Sequence, residues 1–366
     1  MPLHSREQEQ IRRRVAGALA ACTLLYVWYK RFRVRPSRVR DSLVARPQRC
    51  RPADVPGAAT STPFVTRVSL GPCSKKWTTE YLEEHIGDMK VSVHVSSTPD
   101  LNFVTKNFAY EVMSFSDFAK RALSSEAKVA KQYYYYRATH HKRNKPASLE
   151  VIGTLQQDFQ LPVELSGDCA VHSTVLRVAS PGMRMWLHYD ICCNFLCCIR
   201  GRKRVVLIPP SEVRNLYISG SSSMIGSGLL GDAEHLARVW REYPLARKAW
   251  EAREEVILDE GDVLFIPALW FHCVEALPTA GKPRELCISV NTFLIHPEVS
   301  SYHDPKDVWA NRELLPAQDA LRALEERVLP NLRALPLEYR SFYCQKAAAA
   351  LSTLEEHPEV LTISGG

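Results

Sequence analysis

The run Lys90–Ser96 (KVSVHVS) alternates apolar and polar side chains, the period-two signature of a strand with one buried face. Tyr133–Tyr136, followed by Arg137, is an aromatic tract that favours a strand. Short apolar segments of similar length recur at Val175–Val178, Met183–Asp190, Phe195–Arg200, Lys203–Pro209, Glu255–Leu258, Asp262–Pro267, Phe271–Leu277 and Leu286–Phe293. Gly201-Arg202 predicts a hairpin between the segments on either side of it, and Glu260-Gly261 predicts another turn. Ser219–Gly231 is rich in Ser and Gly and reads as a loop. A helix is expected at Phe115–Ala130, and from Asp304 onward the pattern turns helical, with helices at Ala317–Leu329 and Pro336–Leu354. Many short strands separated by turn signals indicate an antiparallel barrel or jelly roll. The expected fold is therefore mainly β with helices, a double-stranded β-helix carrying a helical C-terminal region. The expected organisation is an atypical basic segment and linker over residues 1–62, a β-rich domain over 63–300 and a helical region over 301–366.

Composition narrows this picture. Of 366 residues, 46% are hydrophobic and 24% charged, which excludes a disordered or collagen-like chain. The net charge of +7 is unevenly placed: residues 1–60 hold 13 Lys and Arg against 4 Asp and Glu, so the remainder is slightly acidic. A polyanion contact in the body must then come from local patches. Eleven Cys, odd in number and irregularly spaced, do not form a disulfide framework and point to a reducing compartment, cytoplasmic or nuclear. Within residues 1–60, the uncharged run 15–29 lies between Arg12-Arg13-Arg14 and Lys30-Arg31. A helix of that length spans about 22 Å, short of a bilayer core of about 30 Å. Three readings stay open for it: a short membrane anchor, an Arg-rich targeting segment or an atypical N-terminus. A multi-pass membrane protein is excluded, because no uncharged apolar run is long enough.

The candidate chemistry centres on Trp186-Leu187-His188-Tyr189-Asp190. Residues i and i+2 of a strand share a face, so His188 and Asp190 can approach one metal ion together. His272, on a separate expected strand, can supply a third ligand. Two imidazoles and one carboxylate leave three positions open on an octahedral iron, the facial set of non-haem Fe(II) oxygenases. His-x-Asp alone is a weak signal in a chain with 12 His. Two neighbours strengthen it: Asn194, four residues after Asp190, and Lys203, at the head of an apolar strand. An inward Lys203 would need an anion, which a dicarboxylate cosubstrate supplies; parity equally allows Lys203 to face water, like Arg202 and Arg204.

These residues resemble those of the JmjC-type Fe(II)/2-oxoglutarate oxygenases, a cupin-like family. The resemblance rests on Leu70-Gly71-Pro72-Cys73 with Trp77, Lys106-Asn107-Phe108, Tyr133–Arg137, His188-Tyr189-Asp190, Gly201–Leu207 and the Gly261–His272 run, and it covers residues 63–350. It is strongest to members that hydroxylate a tRNA base. It implies Fe(II) bound by His188, Asp190 and His272, with 2-oxoglutarate held by Tyr135, Asn194 and Lys203. It further implies a wybutosine-type base of phenylalanine tRNA as substrate and a homodimer formed through the C-terminal helices. Residues before Pro63 and the Ser/Gly-rich stretch 219–254 depart from the family pattern. A protein side-chain hydroxylase and an inactive cupin-like binding module are the alternatives.

Other clusters read more plainly. Cys192-Cys193 and Cys197-Cys198 project to both faces of a strand and do not converge on one ion. His140-His141 reads as solvated loop. Arg137, Lys142, Arg143 and Lys145 form one candidate phosphate-binding patch, and Arg200, Arg202 and Arg204 a second.

Overall fold

The computed structural model describes residues 44–51, 54, 58, 60–278 and 285–356; the apolar run 15–29 and its basic flanks lie outside them. Sixteen strands form among the described residues. They are β1 (Gln48–Arg49), β2 (Phe64–Arg67), β3 (Lys90–Ser96), β4 (Asp100–Leu101), β5 (Ala109–Ser114), β6 (Tyr133–Arg137), β7 (Ala170–Ala179) and β8 (Arg184–His188). The second half adds β9 (Cys193–Arg200), β10 (Arg202–Ile208), β11 (Ile218–Ser219), β12 (Ser222–Ser223), β13 (Glu254–Leu258), β14 (Asp262–Ile266), β15 (Phe271–Leu277) and β16 (Cys287–Ile295). They make a nine-stranded sheet, ordered β1-β2-β14-β9-β16-β7-β6-β3-β5, and a seven-stranded assembly ordered β11-β12-β8-β15-β10-β13, with β4 beside β8. Apart from β1 with β2 and β4 with β8, the ladders are antiparallel.

The two sheets face each other. Val65, Leu196, Leu264 and Ile266 of the larger pack against Val205, Leu207, Val256 and Leu258 of the smaller. The outer face of the larger sheet is covered by helices 79–86 and 115–123 through Leu82, Phe115 and Phe118. The outer face of the smaller sheet is covered by helices 233–242 and 246–251. This is the expected jelly roll, with nearly continuous apolar strands where both faces are buried.

The turn at Gly201 is not a hairpin. β9 pairs with β14 and β16 in one sheet, whereas β10 pairs with β13 and β15 in the other. The chain crosses between sheets here, and it crosses again at Glu260-Gly261 between β13 and β14. The two corners lock together: the Gly201 amide donates to Glu260 Oε1 at 3.2 Å and the Gly261 amide to the Cys198 carbonyl at 2.8 Å. Gly201 has φ +76°, and a Cβ there would lie 3.2 Å from the Cys287 Cα. A local turn signal reports the reversal, not which sheet receives the next strand.

Two further expectations change in detail. The helix expected over 115–130 breaks at Ser124, whose Oγ accepts from the Ala127 amide at 2.9 Å and starts a second short helix, Ser125–Val129. Within the expected linker, β1 pairs in parallel with Phe64-Val65. The reason is Asp262, whose fully buried carboxylate accepts from Arg49 (3.1 and 3.2 Å) and Arg67 (2.6 Å). Burial alone would raise this carboxyl, but the two arginines hold it below its ordinary value.

The C-terminal region is helical. Leu315–Ala323 runs through a π turn, Leu324–Val328, into Leu329–Arg333, and Leu337–Glu356 follows. Pro330 has no N–H to continue the ladder, which accounts for the wide turn before it. Leu337, Tyr339, Phe342, Tyr343 and Leu351 of the last helix are exposed. No helix among the described residues is long and apolar enough to cross a membrane.

Replacing Gly201 with Ala combines a positive φ with a backbone clash, so it lowers the unfolding free energy by about 1–3 kcal/mol. Urea titration reads this as a lower midpoint at an unchanged m-value.

Candidate metal centre and its pocket

His188 closes β8 and His272 lies on β15, and the two face each other as a register pair of adjacent antiparallel strands. Asp190 sits just past the end of β8. Its carbonyl accepts from the Leu269 amide at 2.9 Å, and Leu269 adopts the left-handed φ of +68° in that turn. The donor atoms of His188, Asp190 and His272 all lie within 4.8 Å of one another, with His272 Nε2 3.5 Å from Asp190 Oδ2. Each imidazole donates Nδ1–H to the carbonyl two residues earlier, His188 to Trp186 at 2.8 Å and His272 to Trp270 at 3.0 Å. That contact fixes the tautomer and leaves both Nε2 lone pairs for the centre. Trp186 stacks on His188 with centroids 4.6 Å apart.

All three side chains are buried. Burial holds His188 well below its ordinary value, reinforced by His272, and lowers His272 to about 4. Burial raises Asp190 to about 7, with Arg177 and Arg137 pulling the other way. His272 and Asp190 are therefore not an ion pair at neutral pH, because the imidazole is uncharged. Neutral imidazoles beside a carboxylate form a donor set suited to a first-row divalent metal.

His188 and His272 line a cavity of about 40 Å³ between the sheets. Tyr135, Asn194 and Lys203 all line it. Lys203 points inward, only 6% exposed, where it meets the Cys287 thiol; no carboxylate among the described residues pairs with it. Its neighbours point out and are paired, Arg202 with Asp259 (2.8 Å) and Arg204 with Glu255 (2.6 Å). Of the four consecutive tyrosines, Tyr135 is the one that lines the cavity, and its hydroxyl accepts from Arg177 Nη1 at 2.9 Å. Asn194 Oδ1 accepts from Asn291 Nδ2 at 3.0 Å.

Sequence reasoning missed Arg177, Ser289 and Asn291, which also line the cavity. Ser289 Oγ and Asn291 Oδ1 are buried without a hydrogen-bond partner. Such orphaned groups are rare unless a ligand completes them. The signal was present in β16, where Ser289 and Asn291 alternate with Ile288, Val290 and Thr292 and so share one face. Together with Lys203, these atoms make a polar end to the cavity.

The basic patches fare differently. Arg200 is buried, bound to the Ser74 and Lys75 carbonyls and to Glu260, so with Arg202 and Arg204 already paired the second patch offers no free charge. In the first patch Arg137 is withdrawn over the Trp309 ring, 4.1 Å from its centroid. Lys142, Arg143 and Lys145 stay exposed around a surface hollow that Trp309 also lines. The paired cysteines do split between faces as expected, Cys197 into one core and Cys198 into another.

Residues 58–297 match the sequence model of the cupin-like domain family. Over 288 residues the chain is 38% identical to tRNA wybutosine-synthesizing protein 5 of Danio rerio, covering 76% of this chain and 82% of that protein. The protein of the same name from Homo sapiens is 35% identical over 285 residues, 76% of this chain and 84% of the relative. The tRNA wybutosine-synthesizing protein 4 of Neurospora crassa is 36% identical over 296 residues, which are 78% of this chain and 22% of that protein.

The lowered imidazole values set a pH dependence. A base whose folded value is depressed contributes stability at neutral pH that is lost as pH falls. The window runs from the unfolded value near 6.5 to the folded value of about 4 at His272. Asp190 acts in the opposite sense, but it is common to the wild type and a His188→Gln/His272→Gln variant and cancels in their difference. In chelator-treated protein the wild type therefore loses a few kcal/mol against that variant between pH 6.5 and 4.5, measured as unfolding free energy in urea.

Proposed function

The chain belongs to the cupin-like domain family, and from that premise we propose that it is an Fe(II)/2-oxoglutarate-dependent hydroxylase acting on a tRNA base. The observation that carries this reading is a two-imidazole, one-carboxylate donor set whose imidazoles share a cavity with an inward Lys203 that pairs with no carboxylate among the described residues. His188, Asp190 and His272 hold the metal from one side and leave its other positions to ligands. Lys203 pairs with the distal carboxylate of 2-oxoglutarate. The Tyr135 hydroxyl, which accepts from Arg177, keeps its own proton to donate to the same carboxylate. Asn194, Ser289 and Asn291 complete the polar surface around the cosubstrate. Leu196, Ile266 and Val274 form the apolar wall that keeps water out. When bound, Fe(II) with 2-oxoglutarate and O₂ supplies the oxidising power that hydroxylates a substrate C–H bond and yields succinate and CO₂.

For the substrate we propose the wybutosine-type base of phenylalanine tRNA, in keeping with the names of the relatives. Bases of a single-stranded loop can be splayed into a pocket, and the exposed Lys142, Arg143 and Lys145 supply local positive charge for phosphate. A protein side chain is the second reading, favoured by the slightly acidic balance of residues 61–366.

Purified protein given Fe(II), 2-oxoglutarate and O₂ should release succinate, and Asp190→Ala should abolish it; equal turnover by the two would refute the metal assignment. Lys203→Ala removes a buried charge-assisted contact worth about 2–4 kcal/mol, so KM for 2-oxoglutarate rises on the order of 10²-fold or more. Stimulation by tRNA rather than by peptide pools, with a 16-Da gain on the modified nucleoside by mass spectrometry, separates the two substrates.

A further inference from the structure

A second polar cluster lies on the far side of the turn that carries Asp190. His172, His303 and Asp307 bring one donor atom each within 4.8 Å of one another, and Cys192 borders this trio, its Sγ 3.8 Å from His303 Nε2. The four come from three separate parts of the chain. His172 is on β7, Cys192 precedes β9, and His303 and Asp307 lie in the segment after the last strand. His172 is the unpaired residue of a β-bulge, since Phe293 pairs with Ser173 and Leu294 with Val171. A bulge re-aims one side chain, and here it sends the imidazole toward the other three.

Two of the spacings match those between ligands of a tetrahedral ion. His303 Nε2 lies 3.4 Å from Asp307 Oδ2, long for a charge-assisted hydrogen bond. Zinc–nitrogen and zinc–oxygen bonds of about 2.0–2.2 Å at tetrahedral angles place two such ligands about 3.4 Å apart, and a sulfur–nitrogen edge at about 3.6 Å. The surroundings also hold the ligands as a metal site requires. Asp307 Oδ1 accepts from the Trp309 amide at 2.9 Å and Oδ2 from the Arg312 amide at 3.1 Å, which fixes the carboxylate. His172 Nδ1 lies 3.0 Å from Ser173 Oγ. A proton on Nδ1 would be donated there and leave Nε2 as the ligand. The other tautomer instead donates from Nε2 to the Asp307 carbonyl, 3.0 Å away. Two neutral imidazoles, one carboxylate and one thiolate balance Zn²⁺, with the thiol proton released to solvent.

We propose that Cys192, His172, His303 and Asp307 bind a structural zinc ion that pins the post-barrel segment against the turn bearing Asp190. That segment already touches the turn, where the Ile191 amide donates to the Ala310 carbonyl at 2.9 Å. The site is closed, with four protein ligands, so its role is to hold rather than to react.

Elemental analysis of the full-length protein, purified without chelator, tests this. A His188→Ala/His272→Ala variant, crippled at the first centre, should keep one zinc per chain. X-ray absorption at the zinc edge should show one sulfur at about 2.3 Å and the remaining ligands at about 2.0–2.1 Å. Adding His303→Ala should drop zinc at least tenfold; if that protein does not fold, His172→Gln at its half-buried position should do the same. Zinc below a tenth of an equivalent in the wild type, zinc lost with the His188→Ala/His272→Ala pair, or a shell without sulfur would overturn the proposal.

Discussion

Two apolar sheets enclose groups that water would otherwise solvate, and that constraint organises the molecule. Asp190 is raised to about 7 by its burial, and Lys203 is buried with no carboxylate partner among the described residues. An uncompensated charge in such a place is expensive, so the pocket is complementary to a cation at one end and an anion at the other. The cross-sheet turns at Gly201 and Gly261 follow from the same need. The first puts Lys203 in the smaller sheet and the second returns the chain to the larger; β15 then brings His272 back to the smaller while Asn194 and Asn291 stay in the larger, so the polar groups meet from opposite walls.

Much of this was legible in the residue pattern. The strands 90–96, 133–137 and 271–277 fall where alternation, an aromatic tract and a short apolar segment respectively predicted them. His188, Asp190 and His272 were found because residue types with metal affinity are unusual at alternating positions in apolar runs. The pattern placed His188 and Asp190 on one strand, whereas β8 ends at His188 and a turn presents Asp190; the convergence survives because the turn is anchored by Leu269 and Ala310. The orientation of Lys203 was undecided by parity and is settled by sheet membership, a long-range property.

The misses have a common cause. Arg177, Ser289 and Asn291 are single polar residues in strands whose neighbours are apolar, and nothing local distinguishes an inward polar residue from an outward one. The arginine patch around Arg200 failed for the complementary reason: acids distant in sequence, Glu255, Asp259 and Glu260, neutralise it. Charge read along a chain overstates what reaches the surface wherever antiparallel ladders set opposite signs side by side.

The two-residue strand at Gln48-Arg49 reaches further than its length suggests. It occupies the rim of the nine-stranded sheet, and its arginine is one of two cations that neutralise a carboxylate with no solvent contact. Truncating the chain at Pro63 would therefore uncover an open strand edge and strip half the counter-charge from Asp262, two steps toward self-association. Fragments intended for crystallisation or biophysics should retain the stretch from Ala45, however unremarkable its composition.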